Sequence, residues 1–154
     1  MIEQCLKEET EITNSSSENS MAVMLFEQNE YKEAFGLFKR LANEAPSVQS
    51  LNNLAWIYLR EEENMDEAER VLQQVLTFQL QSSFPYMMLG EIALFKQRYE
   101  QAKSYLQKAL EFSGTEEATY NLAIAHYQLS EFKSAAETFA HCVGDSGMTQ
   151  LHEV

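Results

Sequence analysis

Proline and glycine are scarce, 2 and 5 among 154 residues, so long stretches contain nothing that would interrupt a helix. Cysteine is nearly absent as well. Cys5 and Cys142 are too few and too far apart to define a disulfide scaffold, and they suit a reducing, cytoplasmic setting. Positive charge is the third shortage: 11 Lys and Arg against 24 Asp and Glu give −13 with His neutral. A nucleic-acid surface or an anionic-membrane footprint needs concentrated positive charge, so neither is expected. The longest apolar stretches, such as Met21–Phe26, are too short to cross a bilayer. The opening MIEQCLKEETEITNSSSENS has no basic leader before an apolar core, so no secretory signal is expected. What is plentiful is apolar residues, at 45%. A chain of this length and composition can bury a single core without metal or disulfide.

Small residues reveal how that core is organised. Ala22, Ala55, Gly90 and Ala123 recur at intervals of 33, 35 and 33, and Ala34, Ala68, Ala102 and Ala135 at 34, 34 and 33. The two series lie 12, 13, 12 and 12 residues apart, so the second unit has one extra residue in its internal connection. Large residues hold fixed distances from the second series. Tyr31, Met65, Tyr99 and Phe132 precede it by three; Phe38, Leu72, Leu106 and Phe139 follow it by four. Leu41, Val75, Ala109 and Cys142 follow it by seven. These spacings put one apolar face on a second helix, opposite a first helix marked by Met21, Leu54, Leu89 and Leu122. A small side chain lets the two backbones approach closely, so Ala102→Phe is expected to overpack the contact.

The connections agree with this division. Ala45-Pro46-Ser47, Ser82-Ser83 and Ser113-Gly114-Thr115 separate successive pairs, with hydroxyls placed to cap the following helices. Thr115 precedes Glu116 and Glu117, whose charges favour a helix N-terminus. Asn64 with Glu67 predicts reciprocal capping inside the second pair.

A two-helix unit with this period resembles the tetratricopeptide repeat family. The third unit matches its pattern at Tyr86, Leu89-Gly90, Tyr99, Ala102, Leu106 and Ala109. The others follow in frame over about Ser15–Val143, although His126 and Cys142 depart from the residues usual at their positions. The resemblance implies an all-α fold, a right-handed superhelix of stacked antiparallel helix pairs. Residues 15–143 form the four-repeat domain, 1–14 a short helical or flexible lead, and 144–154 a short tail or cap. It also implies that first helices line an inner, protein-binding groove. Carried over residue by residue, the groove positions are Val23, Phe26, Asn52, Trp56, Leu59, Arg60, Phe84 and Met87, then Glu91, Leu94, Phe95, Tyr120, Ile124, Tyr127 and Gln128. The clamp by which some chaperone-associated relatives hold an acidic C-terminal tail is not expected. Asn53 matches it, but Asn19, Val23 and Trp56 do not, and the acidic field opposes carboxylate capture.

Catalysis fits poorly. Glu61-Glu62-Glu63 and Glu116-Glu117 read as solvated turns or helix ends, His126 as an internal hydrogen-bonding side chain, and Cys142 as a packing residue despite its neighbour His141. No phosphate-cradling glycine motif, hydrolase elbow or paired-cysteine zinc signature is present, so no cofactor or metal is expected. The reading is a noncatalytic protein-interaction adaptor or small chaperone. Its partner is a peptide or amphipathic helix, an apolar segment with basic flanks, and neither nucleic acid nor membrane. At repeat level the chain also resembles bacterial type III secretion chaperones. The alternatives are a structural homo-oligomeric assembly subunit, because repeat arrays must cover their hydrophobic ends, and a regulatory subunit of an enzyme complex.

Overall fold

A computed structural model describes residues 17–78 and 81–151, with side chains to 142. Eight helices occur among the described residues: α1 (17–27), α2 (Tyr31–Glu44), α3 (Val48–Arg60), α4 (Met65–Leu76), α5 (Ser83–Phe95), α6 (Tyr99–Phe112), α7 (Glu116–Gln128) and α8 (Phe132–Leu151). The chain divides between residues 79 and 80 into two compact units, α1–α4 and α5–α8. The expected N-terminal lead lies outside the described residues. At the other end, the backbone of α8 continues to Leu151.

In the first unit α3 packs on both α2 and α4. Ala22, Ala34, Ala55 and Ala68 are all fully buried, and Phe38, Leu41, Leu51, Leu54, Leu72 and Val75 fill the space around them. In the second unit α5 packs on α6, α6 on α7 and α7 on α8, with α5 also touching α7. Ala93, Ala102, Leu106, Leu122 and Ala125 form one buried cluster there, edged by Leu94, Tyr105 and Leu110. Gly90 shows why the column must be small. A Cβ built on it would lie 2.6 Å from Leu106 Cγ, well inside contact distance. Pro85 fits in the first turn of α5, where a backbone N–H has no intrahelical acceptor to lose.

Each hairpin turn contains a residue in the left-handed region, and none of the four is glycine: Asn29 (φ 65°), Glu63 (49°), Gln97 (58°) and Ser130 (62°). Asn29, Gln97 and Ser130 each fall seven residues after the small landmark; Glu63 falls eight after it, because of the extra residue. In the regular turns the following N–H reaches back across the helix end, Glu30 to Leu25 O (2.9 Å), Arg98 to Ala93 O (2.8 Å) and Glu131 to His126 O (2.9 Å). These bonds satisfy terminal carbonyls in the usual left-handed helix-end motif. The longer turn instead sends Asn64 N–H to Tyr58 O (2.7 Å).

Capping is partly as expected. Thr115 Oγ1 accepts from Ala118 N–H (3.2 Å). Asn64 Oδ1 accepts from Glu67 N–H (3.2 Å), but the reciprocal half is not made, because the Glu67 carboxylate binds Arg70 at 2.9 Å. The reciprocal pair forms at α3: Ser50 N–H donates to Ser47 Oγ and Ser47 N–H to Ser50 Oγ, both at 3.1 Å. Serine at both positions hides this box from a search for a Ser/Thr–Glu pair.

Candidate protein-interaction faces

The residues nominated for a binding face lie on the first helices, α1 and α3 in one unit and α5 and α7 in the other. On α1, Val23 and Phe26 are half-buried. On α3, Asn52 and Trp56 are half-buried and Arg60 is exposed. Leu59, expected on the groove, is instead buried at 8% exposure, because its place on α3 turns it with Leu51 and Ala55 away from solvent. Phe26 and Trp56 meet edge-on, centroids 5.4 Å apart. Asn52 Oδ1 is closed off from solvent with no donor on it among the described residues. Where the tail clamp would need cations, Asn53 Nδ2 donates to Asn19 Oδ1 at 3.4 Å. Two amides pair there, and neither supplies the charge that carboxylate capture requires.

In the second unit Phe84, Met87, Glu91 and Leu94 on α5 and Ile124 on α7 are half-buried. Thr115 Oγ1 lies 3.7 Å from Met87 Sδ. Phe95 is 72% exposed, Tyr127 58% and Tyr120 52%, and Gln128 is exposed beside them. The charges along α5 and α7 are Glu91, Glu116 and Glu117, with no Lys or Arg. These two helices therefore combine accessible aromatic rings with three carboxylates.

The second helices and one turn add further contacts, and His126 is the internal hydrogen-bonding side chain that was expected. Phe132 on α8 is 58% exposed and meets Tyr127 edge-on at 5.4 Å; Phe139 meets Tyr120 at 5.7 Å. Lys103 Nζ binds Glu131 at 3.0 Å and Glu100 at 3.3 Å, and His126 Nδ1 lies 3.4 Å from Glu131 Oε1. The hydrogen bond from Lys103 holds the Glu131 carboxyl below the usual carboxylate range, and the same bond raises the Lys103 ammonium. Phe132, Lys103 and His126 share repeat positions with Tyr31, Phe35 and Tyr58.

Burial, with Glu116 nearby, pushes the Cys142 thiol up, which disfavours the thiolate a nucleophile needs. Its Sγ lies 4.0 Å from the Glu116 carbonyl oxygen. Among the described residues no group of three or more His, Cys, Asp or Glu is placed to hold a metal ion. No described helix is long and apolar enough to cross a membrane.

Short antiparallel hairpins joined by small-residue columns, with aromatic first-helix faces, define a helical-repeat protein of the interaction-scaffold class. Family models described as tetratricopeptide repeat match residues 50–82 and 85–115, which supports the tetratricopeptide repeat family for the chain. Its role is protein–protein interaction, and its fold is typically a noncatalytic scaffold. No curated protein matches the chain. Among solved structures, MamA from Desulfovibrio magneticus RS-1 (residues 41 to the end) is similar at 17% identity and TM-score 0.72, covering 84% of this chain and 74% of that one. Another MamA structure gives 17% and 0.74, covering 84% and 72%. A tetratricopeptide repeat protein from Parabacteroides merdae gives 17% and 0.73, covering 86% of this chain and 52% of that one. At these identities the likeness shows the fold alone.

Proposed function

We propose that the chain is a noncatalytic adaptor or small chaperone that holds a peptide or amphipathic helix of another protein, with basic flanks, on its first-helix faces. The observation that carries this reading is the division of labour within α5 and α7. Leu89, Ala93, Leu122 and Ala123 close the core, while Phe95, Tyr120 and Tyr127 on the same helices stay open to solvent. Aromatic rings left accessible in this way supply rigid contact area at small entropic cost, the usual anchors of a protein interface. The acidic field of a −13 chain would speed association with a basic segment. A cytoplasmic setting suits the free Cys142 thiol.

The test is partner capture with crosslink mapping on folded, concentration-matched variants. Trp56→Ala and Leu94→Ala are expected to weaken capture about tenfold or more, and Glu63→Ala to leave it unchanged. Equal capture by all three, or crosslinks spread over α2, α4, α6 and α8, would reject the reading.

A second reading, the homo-oligomeric assembly subunit, draws on α1. Met21 and Met24 are 52% and 48% exposed, whereas their repeat equivalents Leu54, Ile57, Leu89, Ile92, Leu122 and Ala125 are at most 7% exposed. A monomeric mass throughout a dilution series would remove it.

A further inference from the structure

The first and last hairpins carry the same aromatic pair. Phe26 and Tyr127 each lie four residues after the first small landmark; Tyr31 and Phe132 each lie three before the second. Their rings adopt nearly the same geometry, centroids 5.0 Å apart and planes at 66° in Phe26–Tyr31, 5.4 Å and 68° in Tyr127–Phe132. The difference is a third ring. In the first unit Trp56, from the first helix of the next hairpin, seats edge-on against Phe26 at 5.4 Å and 87°. In the second unit no third ring meets the pair among the described residues, and Tyr127 and Phe132 are each 58% exposed.

We propose that the Tyr127–Phe132 pair is a docking seat for an aromatic side chain on a basic amphipathic helix of another polypeptide, bound as Trp56 of α3 is bound by Phe26 within this chain. The geometry of the seat is already built, since an edge-on pair with this spacing accepts a third ring edge-on elsewhere in the same molecule. The helical form of the partner follows from that template, because Trp56 reaches Phe26 from the helix α3. Its charge follows from complementarity. The helices α7 and α5 carry the carboxylates Glu91, Glu116 and Glu117 and no Lys or Arg, and α8 adds Glu137 and Asp145 against Lys133. Basic side chains flanking the anchor meet a favourable field, and acidic ones are repelled.

The proposal rests on the reading that first-helix faces bind protein, but it adds Phe132, which lies on a second helix, so the two can fail separately. The probe is a fluorescein-labelled peptide of the 13-residue α3 sequence, VQSLNNLAWIYLR, extended by two lysines, titrated with the full chain by anisotropy. Binding is expected, weakened about tenfold or more when the peptide's Trp is replaced by Ala or the protein carries Phe132→Ala. It should also weaken as salt is raised, and when glutamates replace the two lysines. Phe132→Leu keeps apolar bulk without the ring and should weaken binding nearly as much. Absence of binding, or binding indifferent to the peptide's Trp and to both Phe132 variants, would overturn the seat. If Leu94→Ala weakens protein capture while the Phe132 variants bind the peptide normally, the seat fails and the broader reading stands. Loss with Phe132→Ala but not with Leu94→Ala gives the reverse. Self-association of the chain without peptide, abolished by Phe132→Ala in sedimentation, would assign the seat to a second copy and overturn the choice of partner.

Discussion

At the α2–α3 junction of the first unit Phe35 meets Tyr58 edge-on, centroids 5.3 Å apart and planes at 88°. At the α6–α7 junction of the second unit the same two repeat positions hold Lys103 and His126, with Glu131 in contact with both. One junction is aromatic and the other ionic, yet the alanine columns on either side are buried alike. Repeat architecture therefore constrains the columns tightly and leaves the junction free to use either chemistry. The exchange also explains why His126 departs from the family pattern. Its ring is 9% exposed and faces a carboxylate supplied by the turn before α8. In the first unit the corresponding turn is one residue longer, and its final residue, Asn64, caps α4.

The largest effects should come from the shared columns. Ala68→Phe in the first unit and Ala102→Phe in the second each replace a fully buried methyl, and each is expected to cost about 1–3 kcal/mol in urea unfolding followed by circular dichroism. A negligible cost at one site and a large one at the other would break the equivalence of the two columns.

Exchanging the junction residues comes next. Tyr58→His removes the edge-on contact while Phe35 offers no acceptor, and should cost about 1 kcal/mol. The reverse change, His126→Tyr, should destabilise the second unit unless Lys103→Phe accompanies it, which the sign of a double-mutant cycle reads directly. The two junctions should also differ in pH response. Glu131 is held below its unfolded value, so its contribution is complete above the unfolded carboxylate range near about 4.3 and is lost as pH falls through the lower folded value. Burial first, then Glu67, raises the Tyr58 phenol, so that junction keeps its contribution below the unfolded value near about 10 and loses it as pH rises through the folded one. Glu131→Gln should flatten the acid limb of the stability–pH curve and leave the alkaline response of Tyr58 in place. An unchanged acid limb would detach Glu131 from the junction.

The period and both small-residue columns were legible in the sequence because sterics confine those sites to Gly, Ala and similar residues. Gly90 pressed on Leu106 is the extreme case. Thr115 as a cap was legible for a similar reason, since few side chains can accept from the second or third N–H of a helix. The candidate face was legible only as positions. Leu59 looks like its neighbours in composition, and its burial depends on how α3 is rotated, which a few tens of degrees decide. Phe132 was legible as a packing position, but its pairing with Tyr127 and the role of Glu131 lie on a second helix and a turn, outside any first-helix template. Their roles emerge from comparing equivalent sites across repeats, where Phe26–Tyr31 predicts Tyr127–Phe132 and the Phe35–Tyr58 positions are those at which Lys103 and His126 each meet Glu131.

The smallest effects separate the turns. Four non-glycine residues hold positive φ, a conformation that costs most L-residues about 1 kcal/mol and asparagine less. Glycine removes that steric cost but adds freedom to the unfolded chain, so the two terms partly cancel. Gln97→Gly and Ser130→Gly in the second unit should therefore stabilise by about 0.5 kcal/mol, and Glu63→Gly in the longer turn by a similar amount. Asn29→Gly should be close to neutral, because asparagine already tolerates the left-handed region. Thermal unfolding of the four single variants would rank them, and stabilisation by Asn29→Gly equal to the others would show that the turns owe nothing to their residue identities. Destabilisation by Ser130→Gly alone would point elsewhere, to a contact of the Ser130 side chain that matters more than its backbone strain.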